Sequence, residues 1–433
     1  MGLEIFERGK LPRWVRVRQN LVTATIDNVA AAVAGEFSRP EIRETIQPGQ
    51  KVALTGGSRG IDRIDHVLKA AAHEIKRLGA EPFIVPAMGS HGGATAEGQL
   101  EILEHYGVTE EKMGCPVRSS METVLLGHVK DNVPVWVDKT AYTEADITIP
   151  INRVKPHTDF HGHIESGLMK MIAIGLGKQK GADTFHGRSF VEFPTLIPAV
   201  GQFTLQHMPM PFGLALVEDG QSRLSLIQAV PAARILDEEQ ELLKIARERM
   251  ARLPGEEIDV LIVDQLGKDI SGIGADTNVI NRYWNGPLPH PPHIKRVVMR
   301  DLTKDTEGNA CGIGLGDVVL QQIVDKLDPV QTYMNVVTAK GPEGARIPLT
   351  VANDREALFV ALACCHQIEN ESARIMRIQD TKHLEDLWVS EPLLPQMEAT
   401  GRVHRIGEAE DISFDAQGMF TQATRNGAAV AAS

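Results

Sequence analysis

Apolar and polar positions along the chain fall into two alternating rhythms. KVALTG (51–56) is a short, almost unbroken apolar run and predicts a buried strand. HVLKAAAHEIKRLGA (66–80) places its apolar residues three and four apart and closes near a glycine, which predicts a helix. EPFIVPAMGSHGG (81–93) predicts a strand that runs into a glycine turn. TAEGQLEILEHYG (95–107) predicts a second helix with Thr95 as its N-cap. ADITIPINRV (145–154) predicts a further strand. Strands that alternate with helices imply βαβ units, hence an α/β fold with largely parallel sheets.

A long charged helix, LDEEQELLKIARERMARL (236–253), ends at Pro254–Gly255, and a new apolar strand follows. The expected division is therefore a first domain over 1–254 and a second α/β domain over 255–433. IKRVVMRDL, DVVLQQIVDKL and ALFVALACCHQI repeat the strand and helix signals in the second half. NGPLPHPPHIKR (285–296) reads as a rigid surface loop. The small, polar stretch from about 416 to 433 is expected to be poorly ordered. In open α/β sheets chemistry gathers where strands end and the chain turns. TGGSRG, MGSHGG and HTDFHGHIESGLMK are such turns, and all lie in the first domain. The second domain is expected to close over them, with the active site in a cleft between the two.

Composition narrows the function. The chain has 433 residues, 42% of them hydrophobic and 24% charged, so it supports a globular core. Its net charge of −12 and aromatic content of 5% argue against nucleic acid or an anionic membrane as partner. Cys115, Cys311, Cys364 and Cys365 show no CxxC spacing and read as reduced thiols of a cytoplasmic protein. The opening MGLEIFERGKLPRW is charged throughout and is no signal peptide, and no run approaches 18 apolar residues.

The first turn, VALTGGSRGID, resembles the phosphate-binding start of a short-chain dehydrogenase, but Asp62 stands where that loop has its last glycine. A carboxylate there would oppose a pyrophosphate. None of Tyr106, Tyr142, Tyr283 and Tyr333 is followed four residues on by lysine, so the proton-transfer pair of that family is missing. What remains is a strand end presenting Gly57, Ser58 and Arg59, with Arg59 able to hold a carboxylate or phosphate bidentately.

The histidines admit several readings. His91 sits between a serine and glycines in a turn where backbone can approach a ligand. His157 follows Pro156 at a strand end. His161 and His163 form an HxH pair, which with His157 suggests a mononuclear metal-dependent hydrolase. No HExxH accompanies it, and His161, His163, Asp159 and Glu165 read more simply as solvated or capping loop residues. Lys170 stands where a polar, glycine-marked segment becomes apolar (MIAIGL), a border that favours a neutral, nucleophilic amine. A non-catalytic nucleotide- or acid-binding protein is the remaining alternative.

Taken in order, these residues resemble the nickel-dependent lactate racemase family over roughly residues 40 to 400. The match is sharp at Arg59 in GGSRG, His91 in GSHGGAT, His157 and Lys170 in PHTDF and ESGLMK, and His186, sixteen residues after that lysine. The resemblance implies a nickel-pincer nucleotide, a pyridinium bis-thiocarboxylic mononucleotide with nickel, attached through Lys170. It implies His186 as the protein's nickel ligand, a soft tetragonal set that suits nickel(II). His91 and His157 become the two acid–base residues and Arg59 the substrate anchor, with Ser58 and Gly57 beside the cofactor. It also implies cofactor-biosynthesis proteins in the same cell. Where the lactate enzyme presents further substrate residues, this chain has GKDISGIGADTNVINRYW (267–284), with Asn278 and Arg282 as candidates. Gly56 replaces an acidic residue, and the loop between His157 and Lys170 is longer and carries His161 and His163. These departures point away from lactate and leave room for a larger or more polar acid.

The chemistry gives an independent reason for such parts. Removing the carbon-bound proton of a 2-hydroxy acid is hard because the carboxylate resists further negative charge. Hydride removal avoids that carbanion and gives a 2-keto acid. Opposite faces need one base each, and histidine titrates in the right range. An arginine pins the carboxylate meanwhile. The reading is racemisation or epimerisation of a 2-hydroxy acid.

Overall fold

The computed structural model describes residues 3–58, 60–283, 286–288 and 291–424. The chain forms two compact units, one of Val22–Met250 and one of Met1–Leu21 together with Ala251–Ser433.

In the unit of Val22–Met250 the strand Lys51–Gly56 lies between Glu81–Pro86 and Ile147–Ile149, parallel to both. The helix Ile64–Arg77 links the first two and buries Ile64, Val67, Leu68, Ala71 and Ile75, the stripe its spacing predicts. Strand side chains alternate between two cores. Val52, Leu54 and Ile84 face one, whereas Ala53, Phe83 and Val85 face the other. A parallel sheet covered on both faces explains the near-continuous apolar runs. Thr95 caps the helix Ala96–His105, its side chain accepting from the Gly98 amide at 3.0 Å.

The strand expected over 145–154 is two strands. Ile147–Ile149 joins the sheet just described, while Ile151–Arg153 pairs with Phe212–Glu218 in another. Pro150 stands between them and has no N–H to continue a ladder. The long charged helix runs over Ile235–Arg249 and turns one face to the second core.

The other unit holds a mixed nine-stranded sheet. Leu349–Val351, Val318–Leu320, His293–Leu302, Glu257–Leu266 and Ile375–Ile378 follow one another in parallel. Asp386–Ser390, Arg13–Gln19 and Val403–Arg405 continue it antiparallel. The strand His293–Leu302 thus begins inside the segment expected as a proline-rich loop.

Two expectations are corrected here. Residues 13–19 do not belong to the first domain. Trp14 is fully buried against Trp388 and Phe420, at ring-centroid distances of 5.2 and 5.3 Å. Arg16 and Arg18 pair with Asp386 at 2.9 and 2.8 Å. Pairing over some 370 positions leaves no local signal. Nor is the tail loose as far as Thr424. Phe420 donates its amide to Asp354, Trp388 donates to the Ala423 carbonyl, and Thr424 donates to Asp264. Residues 425–433 lie outside the described residues.

All four cysteines are free thiols, and no helix among the described residues is long and apolar enough to cross a membrane. The Trp14→Ala variant is expected to lose about 3–5 kcal/mol of stability. Hydrogen exchange should then rise in the strands Glu257–Leu266 and Asp386–Ser390, with little change in Lys51–Gly56. The reverse pattern would overturn the placement of the first strand.

Candidate active site

The strands Lys51–Gly56 and Glu81–Pro86 end in register, Gly56 opposite Pro86, so the turns that follow lie side by side. Ala87 donates its amide to the Gly56 carbonyl at 2.7 Å, which ties the two together. In the first turn the Ser58 carbonyl accepts from the Tyr106 hydroxyl at 3.0 Å. A Cβ on Gly57 would stand 3.3 Å from the Met171 methyl, so this turn packs on the residue after Lys170. Asp62, the residue that spoiled the dehydrogenase pattern, accepts from the Leu224 amide at 2.9 Å and so anchors the turn to a strand. Arg59 lies outside the described residues.

The second turn carries His91. Gly89 has φ of 59° and donates to the Gly175 carbonyl at 3.1 Å. Gly175 must be glycine, because a Cβ there would meet the Ala87 carbonyl oxygen at 2.6 Å. The turn therefore sits directly on the chain that follows Lys170. His91 is exposed, and its Nδ1 lies 2.8 Å from the Met88 carbonyl. A carbonyl only accepts, so Nδ1 carries the proton and a neutral ring offers Nε2 as the acceptor.

The histidine-rich loop is organised by Glu165. That residue was expected to be solvated or a cap, yet its side chain is wholly buried. It accepts from the His157 amide at 2.5 Å and the Gly162 amide at 3.1 Å. His161 Nδ1 lies 3.2 Å away, and the Arg247 guanidinium donates at 2.5 Å. Burial pushes this carboxyl up, but the bonds from His161 and the two amides outweigh it and hold it below the usual range. His161 thus closes a loop contact, and His163 is exposed. Among the described residues no three His, Cys, Asp or Glu side chains form a group that could hold a metal ion.

His157 and Lys170 meet. Lys170 Nζ stands 2.5 Å from His157 Nε2. The Asp159 amide donates to Nδ1 at 3.0 Å. The Asp159 carboxylate is 3.5 Å from Nδ1. Phe160 stacks on His157 at 4.3 Å and lies 5.9 Å from the lysine nitrogen. Phe160 packs edge-on against Phe193, and Phe193 lies 6.3 Å from His186. His157, Lys170 and His186 therefore border one aromatic cluster. Lys170 closes the short helix Leu168–Lys170, which continues into a π-helical turn, Met171–Gly175, and then the helix Lys178–His186. Such π turns occur often at functional sites.

Glu239, on the helix Ile235–Arg249, supports the start of that segment. It is buried and accepts from the Met169 amide at 2.9 Å. Its carboxylate fills the space a side chain on Gly167 would need. Burial pushes it up to about 7, against the pull of the Met169 and Leu168 amides. Sequence reasoning missed Glu239 because it stands among other acids in LDEEQELL, and missed the wall of Phe160 and Phe193 altogether. Only burial distinguishes that one glutamate.

The two candidates of the other unit are engaged within it. Asn278 donates its amide to Asp276 at 3.0 Å in the cap of Thr277–Ile280. Arg282 pairs with Asp317 at 2.5 Å and donates to the carbonyls of Leu315, Ile294 and Lys295.

No family model and no curated protein matches the chain. Among solved structures it is similar to the lactate racemase apoprotein from Thermoanaerobacterium thermosaccharolyticum. The two are 12% identical, the match covers 81% of this chain and 91% of that one, and the TM-score is 0.46.

Because Glu239 is an acid raised in the folded state, its protonation adds stability that is full below about 4.5 and fades as pH rises through about 7. The Glu239→Gln variant should lack that fading. Thermal melts should show it gaining on the native chain between pH 5 and pH 8, by about 3 kcal/mol at most. Parallel melting curves across that range would refute the assignment.

Proposed function

We propose that this protein is a racemase or epimerase of a 2-hydroxy acid that works with a nickel-pincer nucleotide. The observation that carries the reading is the contact of Lys170 Nζ with His157 Nε2, on an aromatic cluster shared with His186. The order and spacing of His91, His157, Lys170 and His186 in the sequence support it independently. The residues suit such a group: an amine for its acyl arm, an imidazole for its metal, and aromatic surface beside both. Lys170 would hold the nucleotide and His186 the nickel. When bound, the cofactor would supply a hydride acceptor at the substrate's hydroxyl-bearing carbon.

The chain's own residues do the rest. His91, with Nδ1 given to Met88, offers Nε2 to a hydroxyl proton. His157, with the Asp159 carboxylate 3.5 Å from its Nδ1, is the proposed base of the second turn. One base on each of two separate turns is what inversion through a planar 2-keto acid needs, since the proton must be exchanged on either side. Arg59, next after Ser58 in the sequence, is the proposed carboxylate anchor. The aromatic wall limits water at the reacting carbon. A hydrolase built on HTDFHGH would need His157, His161 and His163 on one ion, whereas the Nδ1 atoms of His157 and His161 are directed at the Asp159 amide and at Glu165.

Protein made in a host that builds the cofactor should carry a covalent adduct on Lys170 and one nickel per chain, seen by intact mass and elemental analysis. His91→Ala and His157→Ala should each cut racemisation about 10²- to 10⁴-fold with nickel retained. His186→Ala should lose the metal. Full turnover in either of the first two, followed as loss of optical rotation over a panel of enantiopure hydroxy acids, would refute the two-base scheme. Zinc without an adduct would favour the hydrolase.

A further inference from the structure

Lys178 has no part in the chemistry above, yet it is among the most confined charges in the chain. Its side chain and that of Asp138 are both 0% exposed, with Nζ 3.0 Å from Asp138 Oδ2. Nζ also donates to the Pro86 carbonyl and, at 3.2 Å, to Gln99 Oε1. Gln99 in turn donates through Nε2 to the Gly89 carbonyl at 2.9 Å and the His91 carbonyl at 3.2 Å.

Where these bonds end decides what they do. Pro86 closes the strand Glu81–Pro86, and Gly89 and His91 form the turn that follows. Lys178 opens the helix that ends at His186 and stands eight residues after Lys170. One ammonium thus fastens both ends of the His91 turn to the segment between Lys170 and His186. Its backbone is left-handed, with φ of 52°, a conformation rare outside glycine that persists only where the surroundings enforce it. A buried ion pair is a weak stabiliser, because apolar side chains of similar volume pack as well. What it supplies instead is direction. Burial lowers the lysine and raises the aspartate, and the attraction between the two opposes both shifts.

We propose that Lys178, with Asp138 and Gln99, is a positioning residue for His91, setting where that imidazole stands relative to the Lys170–His186 segment. The kinetic part of this inference rests on the reading of His91 as a base, and the geometric part does not.

Two variants of the full chain test it. Lys178→Met combined with Asp138→Asn removes both charges and keeps an oxygen for the Ala141 amide that Asp138 caps. Gln99→Met cuts the path from Lys178 to Gly89 and His91 while leaving Lys178 its bonds to Asp138 and Pro86, and decides the matter if the double variant does not fold. In ¹⁵N-histidine spectra, His91 should leave its single Nδ1–H tautomer for a mixture of both, while His207, bonded to the Phe203 carbonyl, stays unchanged. His91 signals coincident with those of the native chain, in a folded variant, would overturn the proposal. In loaded enzyme kcat should fall about ten- to a hundredfold with KM within about twofold, the adduct and nickel remaining. An unchanged kcat would also overturn it. If the loaded native enzyme turns over no 2-hydroxy acid, the proposed reaction falls, and the histidine spectra alone decide this inference.

Discussion

A backbone amide taken out of water must find an acceptor, and the chain around Lys170 is both buried and irregular. Strand and helix ladders cannot serve it, so carboxylates do. Glu165 takes the amides of His157 and Gly162, and Glu239 takes that of Met169. Each acid sits far from water because the turn it supports is there. Without them the loop from His157 to Lys170 would hold unsatisfied donors, at a cost of about 1–3 kcal/mol each, and would have no reason to keep one shape.

That constraint explains how the loop holds one shape. The His157 ring is fixed from three sides, by Phe160 below it, the Asp159 amide on Nδ1 and Lys170 on Nε2. The His91 turn is fixed differently, by glycine contacts that let Gly89 and Gly175 bond backbone to backbone. Both arrangements place histidine on turns that follow strands, Glu81–Pro86 of a parallel sheet and Ile151–Arg153 of a mixed one.

The other unit solves a related problem with charges. Asp264 and Asp354 share Arg300, and Arg377 completes the set on Asp264. Burial raises Asp264, but the two arginines hold it below the usual range. The same carboxylates accept from Phe420 and Thr424, so the chain's last described residues are drawn onto the sheet through groups placed for the arginines. The proximity of Arg300 and Arg377 to the Phe420 ring, at 5.4 and 4.7 Å, adds to that hold.

Much of the first unit was legible along the chain. The strand Lys51–Gly56, the helix Ile64–Arg77 and the Thr95 cap follow from spacing and side-chain chemistry within a few residues. So do the positions of His91 at a turn and of His157 after a strand. Periodicity is local, and local rules reach that far. What the tertiary structure decided depends on partners far away in sequence. It chose Glu239 from a run of acids through an amide 70 positions earlier, and tied Lys178 to a carbonyl 92 positions earlier. It gave Arg13–Gln19 to a sheet built largely from the second half of the chain, and it fixed Glu165 through Arg247, 82 positions later. The physical reason is common to all four. A sequence shows which groups need burial or a partner, but which of several equivalent groups obtains one is settled only when distant segments pack together.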